Sequence, residues 1–187
     1  IPLVAYACVC PTITDDAARR DMSPELPPAP TADLDLLNSA TFITAHAPEG
    51  AVLLLSTEID LNQATVASAR ILATAHGIYD LAINGAPISG HLFSPGWTAY
   101  EWRLPYQEWD VTALVQDAAG AHAAEEAEAP DGAAPLTLSA RLGNGWYRGK
   151  FGFGGAEANY GEELGLLAIL EITYADGQVQ VIPTSTA

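Results

Sequence analysis

The chain has 187 residues, 49% of them hydrophobic, with 23 acidic side chains against seven basic ones and a formal charge of −16. That length and apolar share suffice for one domain with a real core plus an appendage, and they exclude disorder throughout. The charge excludes nucleic acid and an anionic membrane surface as partners, because both demand clustered Lys and Arg; neutral ligands and divalent cations stay open.

The chain opens on IPLVAYACVC, an apolar patch with neither a basic flank nor an initiator Met. It reads as a start inside a longer protein rather than as a signal peptide. No apolar run reaches the ~18 residues of a membrane-spanning helix. Cys8 and Cys10 are the only cysteines. Their spacing is too tight for an easy mutual disulfide and supplies only two metal ligands, so they read as thiols on one face of a half-buried strand. TDDAARRDMSPELPPAPTADLD follows, polar and proline-rich, a linker or a loop wrapping a neighbour. LDLLN has room for one short turn of helix. Residues 1–38 together are expected to be an N-terminal extension, or part of a preceding domain, with partly irregular structure.

Residues 39–187 have a different texture. TFITA, AVLLLSTEIDL, SARILATAHG and IYDLAING are short apolar or alternating runs broken by Gly, Pro and Asn. Asn84-Gly85 between two such runs predicts a hairpin. In SPGWTAYEWRLPYQEWDVT, Pro95-Gly96 predicts a turn, and strand alternation puts Tyr100, Trp102 and Leu104 on one face, expected to be core. Asp110-Val111-Thr112 can open one helical turn through Leu114. Residues 117–135, DAAGAHAAEEAEAPDGAAP, lack an apolar stripe and predict a solvated insertion, frayed or briefly helical. LTLSARLG alternates as a strand, and the last two strands meet at Asp176-Gly177. About eight short strands with frequent turns predict an all-β, antiparallel sandwich, and no long helices alternate with them as a parallel α/β sheet requires.

GNGWYRGKFGFGG, residues 143–155, packs six glycines, four aromatics and two cations into thirteen positions. It follows a strand, as a dinucleotide loop does. Yet Gly143, Gly145 and Gly149 give a GxGxxxG spacing, one residue too long, and KFGFGG cannot start the helix that would meet a pyrophosphate. No nucleophile elbow, zinc-protease or P-loop motif is present. His46, His76, His91 and His122 share no ligand spacing and read as surface or loop residues. With 23 acids, a pair of carboxylates fit for glycoside hydrolysis exists on paper anywhere and carries no signal. In the glycine run, Trp146, Tyr147, Phe151 and Phe153 offer flat apolar faces, Arg148 and Lys150 offer donors, and Asn144 offers both donor and acceptor. Sugars suit such a surface, since they present C–H faces and hydroxyl rings. Packing on the core or on a neighbouring domain uses the same residues.

The series ATAHGIYDLAING, FSPGWTAYEWRLPYQEWDVTALV, LGNGWYRG, YG and LLAILEITYADG resembles the N-terminal β-sandwich domain of bacterial α-L-rhamnosidases over about residues 40–187. The resemblance implies a jelly-roll, galactose-binding-domain-like sandwich. It implies that the acid and base of the glycoside hydrolase stand in a separate (α/α)₆ barrel, so that this chain hydrolyses nothing by itself. The implied role is accessory: buttressing the catalytic domain of the same polypeptide, and contacting rhamnose-containing glycans. The alternative is an autonomous calcium-dependent carbohydrate-binding module. Candidate sugar-binding residues are Asp80, Asn84, Asn144, Trp146, Tyr147 and Arg148. No cofactor is required; Asp80 and Asn144 are the candidate calcium ligands, although neither has the acid–amide neighbour that binding members carry.

Overall fold

Period-two burial makes the strands. In the computed structural model, which describes residues 31–46, 50–128 and 135–186, β3 (Ile78–Ile83) buries Tyr79, Leu81 and Ile83 and turns Asp80 to solvent. The Cys8–Cys10 strand and the linker reading up to residue 30 lie outside the described residues, whereas the last five residues of that stretch, 31–35, are helical rather than linker. The remaining strands are β1 (Leu53–Ile59), β2 (Val66–His76), β4 (Ala86–Pro87), β5 (Gln107–Asp110), β6 (Leu136–Gly143), β7 (Gly165–Tyr174) and β8 (Val179–Pro183). They form two four-stranded sheets, ordered β1-β6-β3-β4 and β5-β2-β7-β8, with every neighbouring pair antiparallel. This is the all-β sandwich that the turn spacing implies. The main core lies between the sheets, where Leu81, Ile83 and Leu142 meet Ile71, Leu170 and Ile172.

The hairpin at Asn84-Gly85 has φ of 47° and 79°, the paired left-handed residues a tight two-residue turn needs. Between β7 and β8 the loop holds four residues, with Gly177 at φ 85° and its N–H donating to the Tyr174 carbonyl at 2.9 Å.

β7 breaks the alternation, with Gly165 through Leu170 all buried. Its inward Leu166, Ala168 and Leu170 enter the main core, while Leu167 and Ile169 join a second cluster with Leu37, Leu72 and Tyr106. Leu37 belongs to α1 (Thr31–Ser39), which covers the outer face of the β5-β2-β7-β8 sheet. α1 is longer than the single turn expected at LDLLN, and it straddles the expected division at residues 38 and 39. Asp33, its side chain only 4% exposed, accepts hydrogen bonds from Arg70 Nη1 at 2.9 Å and from the Tyr106 hydroxyl at 3.0 Å. Arg70 also reaches Glu171 at 2.8 Å and Glu108 at 3.0 Å. One guanidinium thus ties α1 to three strands.

Two local expectations are corrected. Residues 99–103 form a turn, not a strand, with the Ala99 carbonyl accepting from both Trp102 N and Arg103 N. Helical spacing then puts Tyr100 and Leu104 on the buried side and leaves Trp102 77% exposed. The turn expected at Val111 and the described start of the 117–135 insertion, expected to be frayed or briefly helical, are one continuous helix, α2 (Thr112–Glu128). Asp110 Oδ1 accepts from Thr112 N at its start, and Val115 and Ala118 enter the main core. An alanine-rich helix needs few large residues to dock its first turns, so the sequence lacks the broad stripe that marks a buried helix.

Candidate functional site

β6 ends at Gly143, and Asn144 leads into α3 (Gly145–Arg148), a single helical turn that the glycine-rich reading did not anticipate. Gly145 sits at φ +50°, and a Cβ there would lie 2.5 Å from Ile78 Cγ2. Only glycine lets the chain leave the strand so close to β3. Gly161 likewise leaves room for the Tyr147 ring. Glycine at 145 and 161 serves close packing, whereas Gly152, Gly154 and Gly155 face open space.

The aromatics form a continuous line of rings. Phe42 stacks on His76 at 4.5 Å between centroids, and His76 on Tyr147 at 4.7 Å. Tyr147 meets Tyr100 edge-on at 5.1 Å, and Tyr100 meets Tyr160 at 4.9 Å. Trp97 Nε1 donates to the Tyr160 hydroxyl at 3.1 Å, and Trp97 lies over Phe151 at 6.2 Å. His76, expected on the surface, is a half-buried spacer in this stack, and burial holds its imidazole below the ordinary histidine range. Burial, with the neighbouring Tyr160 and Tyr147, pushes the Tyr100 hydroxyl up to about 12. The line runs from partly buried Phe42 to an open end where Trp97, Phe151 and Phe153 are exposed, with Trp102 exposed on the segment that carries Trp97.

The sequence-nominated residues do not converge. Asn144 Oδ1 accepts from Arg148 Nε at 2.9 Å, and Arg148 Nη1 reaches the Glu162 carbonyl at 3.3 Å. Tyr147 turns toward the core, and Trp146 meets Phe93 edge-on at 5.9 Å. Asn84 lies at the far end of β3, bonded through Oδ1 to Thr137 N at 2.7 Å, where it holds the hairpin against β6. Asp80 stands on the outer face of β3, opposite Arg141, whose Nη2 lies 3.2 Å from its Oδ2. The Gly143 rung is two residues away, about 7 Å along the strand, and Asn144 then turns off into α3.

Calcium needs six to eight oxygens and usually several carboxylates. Asp80 is held by Arg141 and Asn144 by Arg148, and no group of three or more His, Cys, Asp or Glu side chains among the described residues is arranged to hold a metal ion. The nominated pair does not fit a calcium site.

The outer face of the β1-β6-β3-β4 sheet holds features that the sequence reading passed over. A cavity of about 700 Å³ lies among Leu54, Asp80, Arg141 and the returning segment Ser89–Ser94. A smaller one of about 240 Å³ adjoins it through Asp80, Arg141 and Leu92, and adds Val52 and Phe93. Ser94 Oγ, in the wall of the larger cavity, is buried without a hydrogen-bond partner. Alternation marks Arg141 as outward on LTLSARLG, but only its register against β3 identifies Asp80 as its partner. A third cavity, of about 710 Å³, lies beside Arg70, Glu108 and Glu171, where one guanidinium ion-pairs with both carboxylates.

The alpha-L-rhamnosidase N-terminal domain family matches residues 64–128 and 133–187. The alpha-L-rhamnosidase of Streptomyces avermitilis is 38% identical over 120 residues, covering 64% of this chain and 10% of that protein. That of Formosa agariphila is 30% identical over 112 residues, covering 60% and 10%. The chain spans about a tenth of the length of the curated relatives it matches. Among solved structures, the S. avermitilis alpha-L-rhamnosidase complexed with L-rhamnose aligns with a TM-score of 0.61 at 34% identity, covering 73% of this chain and 12% of that one. The native enzyme from Aspergillus terreus aligns with a TM-score of 0.61 at 29% identity, covering 80% and 16%.

Proposed function

This chain belongs to the alpha-L-rhamnosidase N-terminal domain family, accessory domains of glycoside hydrolases, and from that premise we propose that it buttresses the catalytic domain of its own polypeptide through the aromatic end beside α3. The observation that carries this reading is the exposure of Trp97 (58%), Phe151 and Phe153 at the open end of the ring line, with Trp102 (77%) exposed five residues along from Trp97. A contiguous exposed apolar surface marks an interaction site, and aromatics are enriched where domains meet. Fully covering one such side chain contributes about 1.5–3 kcal/mol, so a few of them suffice to hold two tethered domains in register. The half-buried rings behind them give that surface a rigid backing.

In this reading residues 39–187 form the accessory sandwich, and the extension before them lends α1 to its outer face. Hydrolysis belongs to an (α/α)₆ barrel elsewhere in the polypeptide. Against an autonomous calcium-dependent module stands the engagement of Asp80 by Arg141 and of Asn144 by Arg148.

The test uses the whole enzyme carrying both Trp102→Ala and Phe153→Ala. Its activity on an aryl α-L-rhamnoside is expected to decay several-fold faster at a fixed elevated temperature, with kcat/KM at 25 °C unchanged. The 187-residue chain carrying the same changes is expected to melt as the parent chain does. An unaltered half-life of the doubly substituted enzyme overturns the buttressing role.

A further inference from the structure

We propose that residues 24–30 lie as an extended strap over the uncovered part of the outer face of the β5-β2-β7-β8 sheet, across Ser68, Thr173 and Val179. This surface is distinct from the aromatic end, and the inference does not rest on the buttressing role.

α1 covers only part of that face. Register sets out its rungs: Leu72, Ile169 and Pro183 lie side by side, then Arg70, Glu171 and Val181, then Ser68, Thr173 and Val179. On the first rung Leu72 and Ile169 are fully buried, packed with Leu37 of α1. Cover is lost along the next two. Val181 is 39% exposed, Val179 is 55% exposed, and Ser68 is exposed with them. A cavity of about 710 Å³ opens over this side of the sheet, with Ser68, Arg70, Glu171 and Thr173 in its wall.

The path of the chain identifies the cover. Asp33 is held over the second rung by Arg70, and Leu37 packs on the first. Further on, Phe42 lies against Gly165, and Ile43 bridges to Leu166 at the start of β7. The chain therefore travels from the Arg70 rung toward the Gly165 end of the sheet. Traced back from Thr31, it enters from the side of Ser68, Thr173 and Val179, a rung that lies two residues, about 7 Å, beyond Arg70.

The sequence ahead of Thr31 suits that course. Residues 24–30 read PELPPAP, with proline at four of the seven positions. Pro28 and Pro30 disfavour helix at the residues before them, and the fixed φ of proline holds the chain near polyproline II. At about 3.1 Å per residue, three such residues span the distance to the uncovered rung. A strap laid on side chains, rather than along a strand edge, finds no ladder partners for its N–H groups, and proline has none to lose. The Ser68 and Thr173 hydroxyls donate to its carbonyls, while Leu26 and the proline rings cover Val179 and Val181. A stiff segment tethered at Thr31 loses little entropy on docking. A second copy of the chain is opposed by its own charge of −16.

The experiment attaches a nitroxide to the ¹⁵N-labelled 187-residue chain at Glu25→Cys, with Cys8→Ser and Cys10→Ser, and reads amide line broadening. Broadening is expected to concentrate at Thr173, Val179 and Val181 and to spare Leu54 on the other sheet. Val179→Ser with Val181→Ser is expected to reduce it several-fold. In the chain without the label, removing residues 1–23 is expected to leave the amides of Ser68, Thr173 and Val179 in place, and removing residues 1–30 to shift them. The idea falls if broadening spreads evenly over both sheets, if it gathers at Ser89, Gly90 and His91 across the cavity, or if the double serine variant broadens like the parent chain. It falls equally if spin-labelled ¹⁴N chains mixed with label-free ¹⁵N chains give the same pattern, which assigns the face to a second copy. None of these readouts depends on the enzyme half-life that tests the buttressing role.

Discussion

The two outer faces of the sandwich treat an arginine in opposite ways. On the β5-β2-β7-β8 sheet, Arg70 meets three carboxylates, and α1 closes over Leu72, Tyr106, Leu167 and Ile169. On the β1-β6-β3-β4 sheet, Arg141 meets one exposed carboxylate, and Leu54 beside it remains 75% exposed. Where the chain supplies its own cover, charge and apolar area are spent on stability. Where it leaves a face bare, the ion pair and the apolar side chain beside it stay open to solvent. The aromatic end is a third condition, backed by stacked rings but open at its tip.

The largest effect that can break this contrast is at the covered face. Leu37→Ala is expected to destabilise the chain by about 2–5 kcal/mol, read as a lower urea midpoint with a similar slope. A loss below that range would mean that α1 merely rests on the sheet. Next comes the arginine pair. Arg70→Met leaves Asp33, which is almost fully buried, with the Tyr106 hydroxyl but no countercharge, and is expected to cost about 1–3 kcal/mol. Arg141→Met removes an exposed pair and is expected to stay within about 1 kcal/mol of the parent chain. Equal losses in thermal melts would erase the distinction between the faces.

The smallest effect lies at the seam, where His76 is held between Phe42, which follows α1, and Tyr147 of α3. Burial lowers the His76 pKa in the folded state, so the unfolded chain takes up this proton first. The contribution is therefore intact above the ordinary value of 6.5 and is lost as the pH falls below it. Melting temperatures measured from pH 7.5 to pH 5 are expected to fall less steeply in His76→Phe than in the parent chain. Identical slopes would show that the stack tolerates an imidazolium.

Much of the fold is legible in short stretches. The Asn84-Gly85 turn follows from the need for two positive φ values, and the strands around it from period-two burial. The site is legible only in part. Asp80 and Asn144 stand out as polar residues beside turns, yet their side chains are answered by Arg141 and Arg148. The first of these partners lies across a strand pair, and the second four residues along a helical turn that glycine-rich sequence disguises. Trp102 reads as core under a strand period and points outward under a turn. Leu92, Phe93 and Ser94 lie in a return segment without a period, so nothing local marks them.

The sequence by itself determined the antiparallel sandwich, the tight hairpin and the family, because alternation, turn chemistry and motif order are carried by neighbouring residues. Only the tertiary structure decided that α1 seals one sheet, that α2 is a single helix docked by Val115 and Ala118, and that Arg141 faces Asp80. Those outcomes depend on strand register and on contacts between residues far apart in the chain. A side chain's exposure is set by what packs over it, and that information is absent from its own stretch of sequence.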